Sequence, residues 1–168
     1  MNISDEKLRA DRLVFYSRDV ERLDEELDSF LELSNARCAL LIDCEGHLVT
    51  RRGEAAQDSV ESLSALTAGS FAATRQMAQM MGESQFNSLF HQGAQQSIQV
   101  SLVGNRTLLA IIWDGRTNLG LVRFYATETV KRLSEIFDDI GRRAPSVPTE
   151  SLSGSFGAEA SAALDDLF

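Results

Sequence analysis

Four side chains in this sequence could bind a soft metal ion: Cys38, Cys44, His47 and His91. Zinc sites combine cysteine and histidine ligands at short, recurring spacings along the chain. The spacing of these four residues matches none of the usual patterns. We therefore predict no structural metal, and we interpret His91 as an ordinary strand residue near the edge of a sheet.

A second group, Asp43, Glu45 and His47, contains residue types that transfer protons in enzymes. All three surround Gly46, and polar residues beside a glycine are typical of a turn. The sequence also lacks the P-loop, the G-x-S-x-G elbow, the H-E-x-x-H pair and the G-x-G-x-x-G turn. The chain is therefore predicted to have no catalytic residues and no cofactor.

The composition argues against several classes of partner. The 16 Lys and Arg residues against 25 Asp and Glu give a net charge of -9 and a pI near 4.7, which is unsuited to a phosphate backbone, so no nucleic acid is expected. The acidic start is not a signal peptide, and no run reaches the roughly 18 apolar residues of a membrane span. We expect a cytoplasmic protein, not inserted in a membrane, whose two thiols are reduced and at least half-buried.

The first half of the chain predicts a helix, a β-hairpin and a second helix. Apolar residues at steps of three and four over residues 14–33 are typical of an amphipathic helix, which Asn35 ends. The runs 37–43 and 47–52 predict the hairpin, with Gly46 in its turn. Asp58 or Ser59 is expected to cap the second helix.

This second helix is predicted to run to about Met81, with Gly82 as its C-terminal cap. It is rich in Ala, Ser, Thr and Gly, and Arg75 is the one charged residue of its second half. A solvated helix would carry Lys and Glu on its exposed faces. Small uncharged residues there suit close approach by another helix or another protein.

The second half predicts three strands, at about 88–93, 97–103 and 107–113, and a last helix. Residues 104–106 form a hairpin turn, and Thr117 is the expected N-cap of the helix, which ends near Arg143. The order of elements predicts an α/β (α+β) layered domain built on a five-stranded antiparallel sheet. The first and last helices cover one face and the middle helix the other.

The composition divides the chain into three parts. Residues 1–12 form an N-terminal extension, residues 13–143 the domain, and residues 144–168 a flexible acidic tail. Within the tail, Leu164, Leu167 and Phe168 lie at helical spacing in an acidic stretch. Such a pattern is typical of segments that fold on a partner, although it also fits a solvated acidic tail.

Four stretches carry a resemblance to a known family: LTAG at 66–69, GESQF at 82–86, FHQGA at 90–94 and DGRTNLGLVR at 114–123. They resemble the Roadblock/LC7 family, most closely its bacterial MglB-like branch. The similarity runs without obvious gaps from about residue 13 to residue 137, and LDDLF resembles the end of the MglB-like tail. The resemblance implies a homodimer whose edge strands join into one sheet and whose middle helices lie side by side.

The resemblance also implies a function. MglB-like proteins bind the GTP form of a small Ras-like GTPase of the MglA type, with two subunits per GTPase, and accelerate its hydrolysis in cell polarity or motility. They are also linked to nucleotide exchange. They insert no arginine finger but reshape the GTPase, which is physically reasonable because phosphoryl transfer depends mostly on positioning and electrostatics.

The GTPase-facing positions that the resemblance implies are Ala72 and Gln76, with Ala68, Arg75 and Gln79 as neighbours at helical spacing. Relatives carry small residues around Arg75 and Gln76, so this chain departs from the family pattern there. Bulk at these positions would need a complementary partner surface or would weaken binding. Arg75 also raises the rival hypothesis of an arginine presented to the γ-phosphate.

Three further hypotheses remain open. The tail residues Leu164, Leu167 and Phe168 are expected to contact the GTPase and influence exchange. The chain could instead be a Roadblock scaffold that binds a GTPase or a polarity partner without stimulating hydrolysis, because the fold serves both purposes. A small-molecule sensor or enzyme that uses the sheet face would require a deep pocket with converging polar groups.

Overall fold

Helices and strands follow one another in the order predicted from the sequence. The computed structural model describes residues 17–54 and 59–143. Its helices are α1 (Ser17–Ser34), α2 (Val60–Met80) and α3 (Leu119–Arg143). Its strands are β1 (Cys38–Asp43), β2 (Leu48–Gly53), β3 (Ser88–Gln92), β4 (Ser97–Val103) and β5 (Thr107–Trp113). The strands form one antiparallel sheet in the order β2-β1-β5-β4-β3, so the predicted five-stranded α+β fold is confirmed.

A β-bulge in β2 decides which face of the sheet its side chains meet. Leu41 pairs with Thr50, whereas the next residue, Ile42, pairs with Leu48, so Val49 is an extra residue in β2. Leu48 therefore packs with the core under α2. Thr50 points to the opposite face, where its hydroxyl donates a hydrogen bond to a carboxylate of α1.

The helix α2 packs on one face of the sheet. Its buried residues Val60, Ala68 and Phe71 form a single cluster with Leu40, Ile42, Val100, Leu108 and Ala110 of the strands. The rings of Phe71 and Phe86 are 5.1 Å apart, so the loop after α2 is held against the same cluster. Burying an aromatic or branched side chain of this size stabilises a fold by roughly 1.5–3 kcal/mol, which fixes the position of α2 on the sheet.

The helices α1 and α3 lie antiparallel over the other face. Ion pairs join them along their length: Asp19 with Arg143, Arg22 with Asp139 at 3.2 Å, and Glu26 with Arg132 at 3.6 Å. Asp19 is fully buried, and Arg143 supplies the opposite charge that a buried carboxylate requires. The predicted distribution of two helices on one face and one on the other is therefore correct.

Two helix ends follow the sequence closely. Asn35 has φ +57° and its N–H donates to the Leu31 carbonyl, so it ends α1 as predicted. Gly82 has φ +82°, a conformation that favours glycine, and its N–H donates to the Gln79 carbonyl at 3.0 Å. The N–H of Glu83 donates to Ala78, which completes a Schellman motif at the end of α2.

Two predicted N-caps are not formed as expected. The cap of α3 is Asn118 rather than Thr117: Asn118 Oδ1 accepts the Leu121 N–H at 3.0 Å. The Thr117 hydroxyl has no hydrogen-bond partner among the residues that the structure describes. Ser59 does lie at the N-cap position of α2, but its side chain does not cap the helix.

Several predictions fall outside residues 17–54 and 59–143: the N-terminal extension 1–12, the first residues of the α1 pattern, Asp58, and the tail 144–168 with Leu164, Leu167 and Phe168. The proposed domain boundaries therefore remain predictions. Within the described ranges, no helix combines the length and the apolar character that crossing a bilayer requires.

Candidate functional site

A groove open to solvent runs along one flank of α2. Its volume is about 300 Å³. It is lined by all five positions predicted for GTPase binding, Ala68, Ala72, Arg75, Gln76 and Gln79. Cys44 from the β1–β2 turn, Phe71 from α2 and Leu108 from β5 complete the lining. The groove therefore lies between the helix and one end of the sheet.

Helical spacing explains why these five residues share one flank, since residues three and four positions apart are neighbours on a helix surface. Ala72, Arg75, Gln76 and Gln79 are exposed. Ala68 is only 4% exposed and belongs to the core cluster, so it forms the base of the groove and offers little surface to a partner. Alanine at 68 and 72 keeps the groove open.

Two arginines lie in or near the groove: Arg75 lines it, and Arg106 adjoins Cys44 through its backbone. The Cys44 N–H donates to the Arg106 carbonyl at 3.0 Å, which fixes the β4–β5 turn beside the β1–β2 turn. Cys44 is exposed as a residue, but partial burial of its sulfur raises the pKa of the thiol, and the charges of Arg75 and Arg106 act in the opposite direction. The thiol is therefore protonated near neutral pH and is a weak nucleophile.

The two cysteines differ in burial. Cys38 is buried in β1 and Cys44 is exposed, and both are free thiols. The prediction of two buried or half-buried thiols is therefore wrong for Cys44. The reason is its place in the turn after β1, where the side chain borders the groove instead of entering the core.

A second hollow adjoins the groove. Its volume is about 350 Å³, and Arg75 and Gln79 line both spaces. The remaining lining comes from the α2–β3 loop and β4: Glu83, Ser84, Gln85, Phe86, Asn87 and Leu102. Arg75 and Gln79 therefore stand between an apolar-floored groove and a more polar hollow.

The outward face of α2, next to the groove, carries exposed apolar side chains, which we call the apolar stripe: Leu66, Met77 and Met80. They are 71%, 60% and 84% exposed. The small residues Gly69 and Ala73 lie between them on the helix surface and are also exposed. Large apolar side chains that cluster at a surface mark an interaction site more often than single exposed ones do.

The strand β3 is an outer strand of the sheet, paired only with β4 in the described part of the chain. Its Phe90 stacks on Trp113 with ring centroids 5.8 Å apart, and the Arg123 guanidinium lies 5.7 Å from the Phe90 ring. His91 lies on this strand, as predicted. An outer strand whose free edge has no partner can accept a further strand.

The group Asp43, Glu45 and His47 has the geometry of a turn. Asp43 Oδ1 accepts the N–H groups of Glu45 and His47 at 3.0 and 2.8 Å, and Asp43 Oδ2 lies 3.0 Å from His47 Nδ1. Gly46 has φ +98°. These contacts account for the three residues as turn-forming groups.

Some residues of the groove could not be found by helical spacing. Cys44, Leu108 and the neighbouring Arg106 come from turns and strands far from α2 in the sequence. From the sequence, Phe71 could be predicted as a core residue but not as part of the groove. Only the tertiary packing of α2 on the sheet brings these residues to the predicted flank.

Comparisons of the sequence and of the structure with known proteins identify relatives that have this fold. The Roadblock/LC7 domain family matches residues 22–112. Myxococcus xanthus MglB is 34% identical, with 76% of this chain and 96% of that chain covered and a TM-score of 0.70. The gliding protein MglB of Thermus thermophilus is 30% identical, with coverages of 75% and 96% and a TM-score of 0.70. An MglB in a tetrameric arrangement is 29% identical, with coverages of 76% and 96% and a TM-score of 0.71. The comparison with curated proteins gave no significant match.

Proposed function

The chain belongs to the Roadblock/LC7 domain family, and on that premise we propose that it is a homodimeric regulator of a small Ras-like GTPase of the MglA type. It acts as a GTPase-activating protein, with nucleotide exchange as a further activity, and it supplies no catalytic residue. The observation that carries this proposal is the open groove along α2, which is lined by the five positions that the resemblance assigns to the GTPase.

The similarity to MglB proteins supports the choice of partner. The relatives at 29–34% identity are covered over 96% of their length, so the likeness extends across their whole domain. One of them is a gliding protein, which supports a role in motility or cell polarity. The cytoplasm is the proposed location, as the sequence predicts.

The mechanism is selection of a GTPase conformation. A partner shifts an equilibrium between switch-loop states only if it binds one state more tightly than the other. A rigid surface can bind one switch-loop state more tightly because it does not adapt to the other. The helix α2 provides such a surface, since Phe71 and the cluster beneath it fix its position. The GTPase's own residues then perform the chemistry, which needs positioning more than a new functional group.

Dimerisation uses two other surfaces of the domain. The outer strand β3 offers an edge for strand addition, and the apolar stripe of α2 offers a surface that a second copy can cover. Covering Leu66, Met77 and Met80 removes apolar area from water, which favours association. One MglB relative forms a tetrameric arrangement, which is consistent with self-association in this family.

The deciding experiment is single-turnover GTP hydrolysis by a purified MglA-type GTPase titrated with this protein. We expect the hydrolysis rate to rise and to saturate near two subunits per GTPase. Binding without a change in rate would instead establish the scaffold hypothesis, which the bulk of Arg75 and Gln76 in the groove favours. Absence of binding would remove the partner assignment.

Deletion of residues 146–168 is expected to leave the fold and the dimer intact and to change GTPase binding or nucleotide exchange. The reason is that Leu164, Leu167 and Phe168 have the spacing of a partner-binding segment, whereas the helices and strands that the structure describes pack on one another. Release of a fluorescent GDP analogue from the GTPase measures exchange, and light scattering measures the dimer. Loss of the folded dimer would contradict this prediction.

A small-molecule function on the sheet face has less support. In the described part of the chain, α2 covers one face of the sheet and α1 with α3 the other. The groove of about 300 Å³ is at the lower limit for ligand sites, which run from about 300 to 1,000 Å³. Its shape and exposure suit a protein surface better.

A further inference from the structure

We propose that Arg75 and Arg106 act together as an arginine pair that binds a carboxylate on the GTPase, and so determine which GTPase this chain accepts. This inference rests on the proposed function and deepens it, because it assigns a chemical identity to one contact in the groove. It also gives a reason for the departure from the family at position 75: the larger Arg75 side chain would recognise a group on the GTPase.

Arg75 and Arg106 differ from most arginines of the chain in their ion pairing. Most arginines in the described part of the chain form ion pairs with carboxylates within 4 Å: Arg22, Arg37, Arg52, Arg116, Arg132, Arg142 and Arg143. Across the same ranges, no ion pair is formed by Arg75 or Arg106. Both side chains are exposed. Arg75 and Arg106 thus have no carboxylate of the described residues within 4 Å.

Cys44 connects the positions of the two arginines. Arg75 is on the α2 wall of the groove, and Leu108, two residues after Arg106, is on the sheet side. Cys44 lies between them: it lines the groove with Arg75 and donates its N–H to the Arg106 carbonyl. Both arginine charges influence the Cys44 thiol. A ligand that enters the groove therefore meets the Arg75 side chain beside an apolar floor and lies close to the β4–β5 turn that carries Arg106.

The carboxylates of Asp43 and Glu83 lie nearby but form no ion pair with Arg75 or Arg106 in the described part of the chain. Asp43 accepts hydrogen bonds from the N–H groups of its own turn and pairs with His47. Glu83, in the adjoining hollow, accepts the Gln85 N–H. The charges of Arg75 and Arg106 therefore remain available to a carboxylate of a partner.

The chemistry favours a carboxylate as the bound group. A guanidinium binds a carboxylate through two parallel N–H···O bonds, which gives both direction and strength. An apolar floor of Ala68, Phe71 and Leu108 keeps part of the site away from water, which strengthens the interaction. On a chain of net charge -9, an acidic partner patch is attracted only where positive charge is concentrated locally.

The test uses Arg75→Gln, Arg106→Gln and the double variant in the full chain. The probe is a purified MglA-type GTPase loaded with a non-hydrolysable GTP analogue. Each single variant is expected to weaken binding on the order of tenfold, and the double variant is expected to lose most of the salt dependence of affinity. Arg75→Lys, which keeps the charge but not the planar fork, should recover part of the affinity.

The matched control is Arg142→Gln, an exposed arginine at the end of α3 whose loss changes the net charge equally. It should bind the GTPase as the unmodified chain does. Hydrolysis at saturating concentrations of the double variant should also equal that of the unmodified chain, because the arginine pair provides affinity and not catalysis.

Two results would overturn the proposal. One is a double variant with unchanged affinity and unchanged salt dependence; if Ala72→Arg still abolishes binding, the proposed function stands without the arginine pair. The other is an unchanged affinity with a large fall in the saturated hydrolysis rate for Arg75→Gln, which would identify an arginine finger. If the unmodified chain does not bind the GTPase at all, the proposed function fails and this inference fails with it.

Discussion

Replacing Ala72 with arginine is expected to abolish GTPase binding while leaving the domain folded and dimeric. Ala72 is exposed on α2 and lines the groove, so an arginine there projects into the space that the GTPase is proposed to fill. We expect affinity to fall by at least about a hundredfold, equivalent to roughly 2.7 kcal/mol.

Binding of the variant is measured by titration with the GTP-analogue form of the GTPase, and folding by its thermal unfolding midpoint. The matched control is Thr127→Arg, which places the same side chain at an exposed position of α3 on the other layer. It should bind normally. If Ala72→Arg binds as well as the unmodified chain, the groove is not the GTPase site.

Replacing Leu66 and Met77 together with aspartate is expected to convert the dimer into a monomer. These side chains are 71% and 60% exposed in one subunit and are proposed to be covered by the second copy. Burying two carboxylates without partners in an apolar interface costs several kcal/mol, more than a dimer of ordinary affinity can lose. The helix itself should persist, because both positions are exposed in the single subunit.

Light scattering coupled to size-exclusion chromatography measures the mass of this double variant. Phe124→Asp is the control, since Phe124 is also an exposed apolar residue but lies on α3, away from the apolar stripe. A double variant that remains dimeric would show that the outer strand β3 alone holds the dimer, or that the second copy binds elsewhere.

Most of the fold was predictable because local chemistry and tertiary packing agree. The alternation in β4, the apolar run of β5 and the glycine turn between them set both strands at the bounds that the structure has, 97–103 and 107–113. Gly82 and Asn35 ended their helices as predicted because both adopt positive φ easily. The N-cap of α3 was misplaced by one position, since Thr117 and Asn118 are both cap-forming residues and only geometry selects between them.

The site was predictable only in part. Helical spacing grouped the α2 residues correctly on one flank, but it could not distinguish the exposed Ala72 from the buried Ala68, because burial depends on how the helix is rotated on the sheet. Cys44, Arg106 and Leu108 were missed because they reach the groove through the register of β1 and β5. The bulge at Val49 was likewise invisible, since it is a property of pairing between strands.

The position of the apolar stripe beside the groove has a consequence for symmetry. Two subunits joined through the stripe would present two grooves related by a two-fold axis. A single GTPase has no such axis, so in the proposed complex it would meet the two grooves with different parts of its surface. In a complex of two subunits with one GTPase, the identical Arg75 side chains of the two subunits would occupy unequal environments, and the second groove would be unable to receive a second GTPase in the same pose.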